Sequence, residues 1–208
     1  MARIDDYINA KKLAVKTLAA VSFKVIADRS GFAANADNVL RVPFLDKTYL
    51  VCYPDFEFNE NPAGTEAQPS EIPLQEQVLI LHYMMAETDV RPSDRWVAYR
   101  EIPGASFYFG PFTKRAIDPL KKVFGNNLSG FSAASAKLAG KPLSDGDAGF
   151  EFQIFPKVPI RLILWEGDEE FAPEGNILFD ESIGRILPVE DVAWLAGMVV
   201  YRLAALSR

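Results

Sequence analysis

Two neighbouring segments around residue 156 place the strongest constraint on the fold. Residues 150–155 alternate apolar and polar side chains, which is typical of a half-buried strand. Residues 158–165 are apolar apart from Arg161, which favours a more central strand. Only Pro156 and Lys157 separate the two runs, so together they predict an antiparallel hairpin.

In other stretches, apolar residues recur at the spacing that is typical of helices or of strands. Apolar residues recur at helical intervals over residues 6–29, which Gly31 is expected to close in a left-handed turn. Further helices are expected over 74–88, within 112–139 and from Pro188 onward. Further strands are expected at 39–44, 48–53 and 96–102.

This order of elements predicts an α+β fold that forms a single domain over residues 1–208. We expect a mainly antiparallel sheet of about five strands, packed by helices, with long helices at both ends of the chain. Residues 59–73 are rich in Asn, Pro, Gly and Glu, which indicates a loop within that domain.

The composition excludes several kinds of chemistry. Cys52 is the only cysteine and His82 the only histidine, so one chain cannot form a disulfide, a cysteine-bound iron–sulfur cluster or a two-histidine metal motif. A net charge of −6 disfavours nucleic acid as a partner. The C-terminal helix is uncharged only over 192–201, too short to cross a bilayer, and the N-terminus does not resemble a signal peptide. We therefore expect a soluble cytoplasmic protein with no membrane partner, and no cofactor is indicated.

An acidic segment follows the hairpin. It begins at Trp165 and contains four candidate binding carboxylates: Asp168, Glu169, Glu170 and Asp180. Carboxylates on a turn suit a divalent cation or a cationic ligand, and Asp168, Glu170 and Asp180 are the candidate metal ligands. The same pattern is typical of a solvated turn, with Asp180 capping a helix over 181–186.

A second candidate surface combines arginine with aromatic side chains over residues 95–104. Its members are Arg95, Trp96, Arg100 and Glu101. Guanidinium groups and aromatic faces together hold planar anionic ligands, and on a strand Trp96 and Arg100 share one face. Aromatic residues in strands also commonly form core, and if Arg100 is buried, Glu166 or Asp168 is its expected partner.

Three stretches resemble one family. They are Val42–Leu45, Arg95–Gly104 and Trp165–Asp180, and in order and spacing they are similar to the uncharacterised bacterial and archaeal family catalogued as domain of unknown function 3786. The resemblance implies a cytoplasmic domain of this size and no established activity. Some family members carry an additional cysteine-rich segment and are labelled iron–sulfur proteins, a label that a chain with one cysteine does not share.

The sequence favours a non-catalytic binding or accessory domain. The acidic segment 165–180 and the segment 95–104 are its expected surface, and the partner is another protein or a small metabolite. One alternative is a small enzyme that uses Asp168, Glu170 and Asp180, with or without a divalent cation. Another is an obligate homo-oligomer whose interface is the apolar stripe of the C-terminal helix.

Overall fold

The computed structural model describes residues 4–60, 71–86 and 90–208. Contacts between Cα atoms divide the chain into two compact units. The N-terminal unit comprises Met1–Val90 with Arg185–Leu187, and the C-terminal unit comprises Arg91–Gly184 with Pro188–Arg208. Most of the loop expected at 59–73 lies outside the described residues, and the expectation of a single domain stays a prediction.

The N-terminal unit combines helices with a four-stranded antiparallel sheet in the order β1-β2-β3-β4. Its elements are α1 (Ile4–Ala19), α2 (Phe23–Ser30), β1 (Ala33–Ala34), β2 (Val39–Phe44), β3 (Lys47–Cys52), β4 (Glu57–Glu60) and α3 (Leu74–Met84). The helix expected over 6–29 is interrupted at residues 20–22 and continues as α2. Gly31, at φ 74°, ends α2 in the left-handed turn that the sequence predicts, and its amide donates to the Ala27 carbonyl at 2.9 Å.

Two buried tyrosines connect elements within this unit. The Tyr49 hydroxyl on β3 donates to a carboxylate oxygen of Glu76 on α3 at 2.5 Å. The Tyr83 hydroxyl on α3 donates to the carbonyl of Ser30 at the end of α2, at 2.7 Å. These bonds fix α3 between the sheet and α2.

The C-terminal unit contains a five-stranded antiparallel sheet in the order β5-β9-β8-β7-β6. Its strands are β5 (Trp96–Ala98), β6 (Lys141–Leu143), β7 (Ala148–Phe155), β8 (Val158–Trp165) and β9 (Glu174–Asp180). Its helices are α4 (Phe109–Phe112), α5 (Asp118–Phe124), α6 (Leu128–Lys137) and α7 (Val189–Leu206), and a π-helical turn, Thr113–Ile117, joins α4 to α5.

The predicted hairpin is confirmed, because β7 and β8 pair antiparallel from Ala148 opposite Leu164 to Phe155 opposite Val158. The segment 96–102 is shorter as a strand than expected, since a 3-10 turn begins at Tyr99. The second half of the acidic segment is strand β9, which pairs with β5 on one side and β8 on the other.

Apolar side chains from one face of this sheet pack with the helices. Ile160, Leu162 and Leu164 on β8 are fully buried. The apolar stripe of α7 is also fully buried within the chain, at Val192, Leu195, Val199 and Leu203. The predicted α+β class with antiparallel strands is confirmed. Every helix in the described ranges is too short or too polar to cross a membrane.

Candidate functional site

The acidic turn, defined here as residues 165–174, connects β8 to β9. A carboxylate oxygen of Asp168 accepts hydrogen bonds from the amides of Glu170 and Phe171, at 2.8 and 2.7 Å. The Asp168 amide donates to the Phe171 carbonyl at 2.9 Å. The bonds from Phe171 and Glu170 stabilise the charged carboxylate, and they lower the pKa of Asp168 despite a small opposing effect of burial. Asp168 therefore holds the turn in shape.

Further contacts fix the base of the acidic turn within the C-terminal unit. The Glu166 amide donates to a carboxylate oxygen of Asp147 at 2.8 Å. A Cβ atom at position 167 would lie 2.7 Å from Pro173 Cδ, so the close approach of the two sides of the turn requires Gly167. The turn is thus tied to the neighbouring loop and closed on itself.

The acidic turn presents two large aromatic side chains to solvent. Phe171 is 70% exposed and Trp165 is 41% exposed. The predicted site residues Glu169 and Glu170 are also exposed. The turn therefore exposes both aromatic and acidic side chains.

Asp180 has a structural role at the opposite end of β9. Its side chain is 1% exposed and accepts hydrogen bonds from the amides of Ser93, Asp94 and Ser182 at 2.8–3.0 Å. Burial by itself raises the pKa of Asp180, but the hydrogen bonds from Ser182, Ser93 and Asp94 outweigh it and hold that pKa below its ordinary value. The bond from Ser182 confirms Asp180 as the cap of a short 3-10 helix, Glu181–Arg185.

The predicted metal ligands do not converge. Asp168 and Glu170 lie in the acidic turn at one end of β9, and Asp180 ends the same strand, about 20 Å away for seven extended residues. Asp168 and Asp180 also direct their oxygens toward backbone amides. Among the described residues, no three His, Cys, Asp or Glu side chains form a group that could hold a metal ion.

The arginine and aromatic residues of the second surface have separate partners. Trp96 lies under the guanidinium of Arg161, 3.8 Å from the ring centroid. Arg161 also donates from Nε and Nη2 to a carboxylate oxygen of Glu151, both at 2.9 Å. Glu151, Arg161 and Trp96 belong to β7, β8 and β5, so this group of side chains spans four strands, including the intervening β9. It lies on the sheet face opposite Ile160 and Leu162.

The other members of this surface are exposed. Arg100 lies over the Phe109 ring, 4.0 Å from its centroid, so its exposed side chain does not need Glu166 or Asp168 as a partner. Arg95 forms a solvent-exposed ion pair with Glu181 at 3.3 Å, and such pairs contribute little to stability. A carboxylate oxygen of Glu101 accepts from the Ala98 amide at 2.7 Å and holds the 3-10 turn.

Sequence reasoning missed two residues of these surfaces. Phe171 is a single aromatic residue that follows a run of carboxylates, a signal that is visible in the sequence but common in ordinary loops. Arg161 is the one charge in the predicted central strand, and a charge at such a position indicates a specific partner.

The fold and these surfaces define an α+β protein of antiparallel sheets with a preorganised acidic and aromatic turn. The model of the family described as "Domain of unknown function (DUF3786)" matches residues 22–202, and the chain belongs to that family. Neither the comparison with curated proteins nor the comparison with solved structures gave a match.

Proposed function

We propose that the protein is a cytoplasmic binding domain whose acidic turn docks a partner protein. One observation carries the proposal: Phe171 and Trp165 are exposed on a turn that hydrogen bonds hold in a fixed shape. Aromatic side chains are enriched at the centres of protein interfaces and supply much of the binding energy there. Two such groups on one small turn favour docking over simple solvation.

The fixed shape of the acidic turn supports the proposal. Asp168 already orders the backbone of Glu170 and Phe171, so binding loses less conformational entropy than it does with a flexible loop. The carboxylates of Glu166, Glu169 and Glu174 are exposed on the same turn. The matching partner surface therefore has an apolar depression with lysine or arginine at its rim, and its association accelerates at low ionic strength.

Affinity purification from cells that naturally produce the protein tests this function. We expect Phe171→Ser to reduce recovery of one or more specific proteins at least about tenfold, since loss of an aromatic anchor weakens binding by 2 kcal/mol or more. Tyr201→Ser is the matched control, because Tyr201 is 60% exposed on α7, outside the turn. Equal recovery with both variants contradicts the proposal.

The alternatives have less support. The enzyme alternative needs Asp168, Glu170 and Asp180 to converge, and β9 separates Asp180 from the other two. The oligomer alternative needs the apolar stripe of α7 to be exposed, and Val199 and its neighbours are buried in the C-terminal unit. A partner of the acidic turn remains compatible with both observations.

A further inference from the structure

A groove in the N-terminal unit has a volume of about 530 Å³, which lies within the range of roughly 300–1,000 Å³ for small-molecule sites. One side is a single face of α1, since residues 8, 11, 12, 15 and 16 have the spacing of one helical stripe. The other side includes Leu74 at the start of α3 and Asp55 between β3 and β4. The described residues thus enclose a concave site that is unrelated to the acidic turn.

The groove has an apolar floor. Ile8 and Val15 lie one above the other on α1, and Leu74 faces them from α3. Ile8 remains 37% exposed and the other two are partly exposed, so these side chains retain apolar surface in contact with solvent. Covering that surface with a hydrocarbon group is favourable at about 25 cal/mol per Å².

The rim of the groove is cationic. Among the described residues that line it, Lys11, Lys12 and Lys16 contribute three ammonium groups, against the one carboxylate of Asp55. In the part of the chain that the structure describes, none of these lysines forms an ion pair, although Lys11 Nζ lies 5.9 Å from the centroid of the Phe58 ring. On a chain of net charge −6, this local excess of positive charge makes the groove attractive to an anionic ligand.

We infer that this groove binds a free anionic amphiphile, with its hydrocarbon body on the apolar floor and its acidic headgroup at the lysines. A lysine is a compact point charge without bidentate geometry, so the site suits a flexible anionic headgroup. A neutral hydrocarbon leaves the ammonium groups unpaired, and a small inorganic anion leaves the floor exposed. Only a molecule with both features satisfies both parts of the groove.

Titration of the full-length protein with three probes, followed by calorimetry and by amide NMR shifts, tests the inference. Monomeric decanoate combines both features, 1-decanol has only the hydrocarbon, and inorganic phosphate has only the charge. We expect decanoate to bind at least about tenfold more tightly than either other probe, with shifts at Ile8, Val15 and Leu74. Equal binding of decanoate and 1-decanol, or no binding of decanoate, overturns the inference.

Charge-reversal variants provide the second half of the test. Lys12 and Lys16 are exposed, so we expect the double variant Lys12→Glu with Lys16→Glu to retain the fold, which a thermal melt checks. The double variant should weaken decanoate binding at least about tenfold. Lys24→Glu is the control and should not weaken it, because Lys24 is exposed on α2 and lies outside the groove. An equal loss with Lys24→Glu, or tighter binding to anionic lipid vesicles than to monomeric decanoate, overturns the inference of a free ligand.

Discussion

The backbone amide of Ser93 donates to both carboxylate oxygens of Asp180, at 3.0 and 2.9 Å, across 87 residues of sequence. The Asp94 amide donates to the same carboxylate at 2.8 Å. Because these residues immediately precede β5, the Asp180 side chain fixes the entry of β5 beside the end of β9. Asp180, which the sequence suggests as a metal ligand, instead connects the end of β9 to the segment before β5.

Asp180→Asn should lower the free energy of unfolding by about 2–3 kcal/mol at neutral pH. Asparagine replaces one of the two carboxylate oxygens with an NH2 group, which would face the Asp94 or the Ser182 amide and leave that donor without its acceptor. Urea unfolding followed by circular dichroism measures the change. Asp145→Asn, an exposed position, is the matched control, and a change within about 0.5 kcal/mol for Asp180→Asn contradicts the assigned role.

The effect of Asp180→Asn should depend on pH. The pKa of Asp180 is lower in the folded protein than the ordinary value of about 3.9, so its stabilisation is present above that value. It is lost as pH falls through the still lower pKa of the folded state. The difference between wild type and variant should therefore shrink as urea titrations move below about pH 4. A constant difference down to low pH would show that the charge of Asp180 is unimportant.

Asp168→Ala should loosen the acidic turn while leaving global stability almost unchanged. The Glu170 and Phe171 amides lose their acceptor, and hydrogen exchange at these two positions should accelerate. Asp168→Asn preserves a side-chain acceptor and should retain slower exchange than Asp168→Ala. Identical exchange in wild type and both variants would mean that Asp168 does not order the turn.

Tyr99 should make the protein sensitive to alkaline pH. Burial raises the pKa of Tyr99 to about 12, with smaller contributions from Tyr108 and Glu190. Its hydroxyl donates to the Val189 carbonyl at 2.8 Å. This stabilisation is complete below the unfolded pKa of about 10 and is lost as pH rises through about 12.

Tyr99→Phe should lower the free energy of unfolding by about 1 kcal/mol at neutral pH and remove part of this alkaline dependence. The stacking of the ring on Phe112, with centroids 4.2 Å apart, is preserved in the variant. Unfolding at neutral and alkaline pH measures both effects, and the exposed Tyr201→Phe serves as control. An unchanged alkaline profile in Tyr99→Phe would refute the role of its hydroxyl.

Val199→Glu tests whether the apolar stripe of α7 is an oligomer interface or part of the buried core. Val199 is fully buried on α7, so an unpaired carboxylate there should destabilise the protein by about 4 kcal/mol or more and give misfolded material. Tyr201→Glu, on the exposed side of the same helix, should remain folded. Soluble, folded Val199→Glu monomers would instead support an interface on this stripe.

The sequence predicts the β7–β8 hairpin because its alternation is local, but it does not predict the partners of Arg161. A simple two-residue connection would place Glu151 opposite Leu162, and this register would put Glu151 and Arg161 on opposite faces of the sheet. A bulge between Gln153 and Phe155 shifts the register by one residue, so that Glu151 faces Arg161. Such a shift depends on the packing of both faces, which composition and spacing do not specify.

Strand β9 is a second feature that the sequence alone does not predict. Its sequence, Glu174 to Asp180, contains Gly175 and Asn176 and has a weak preference for strand structure. From the sequence alone it therefore belongs to the acidic segment 165–180. Pairing with β8 and β5 on both sides forms the strand, and only Ile177, Phe179 and Asp180 are buried. The capping role of Asp180 is local and predictable, whereas its bonds to Ser93 and Asp94 depend on the tertiary fold.

The most direct test of the proposed function is site-specific photo-crosslinking in cells that naturally produce the protein. A benzophenone amino acid replaces Phe171 in one sample and Tyr201 in the other, since both side chains are exposed. We expect a discrete crosslinked partner from position 171 only, and its loss when Glu169 and Glu170 are both changed to lysine. The same products from both positions, or no product from position 171, would contradict a docking role for the acidic turn.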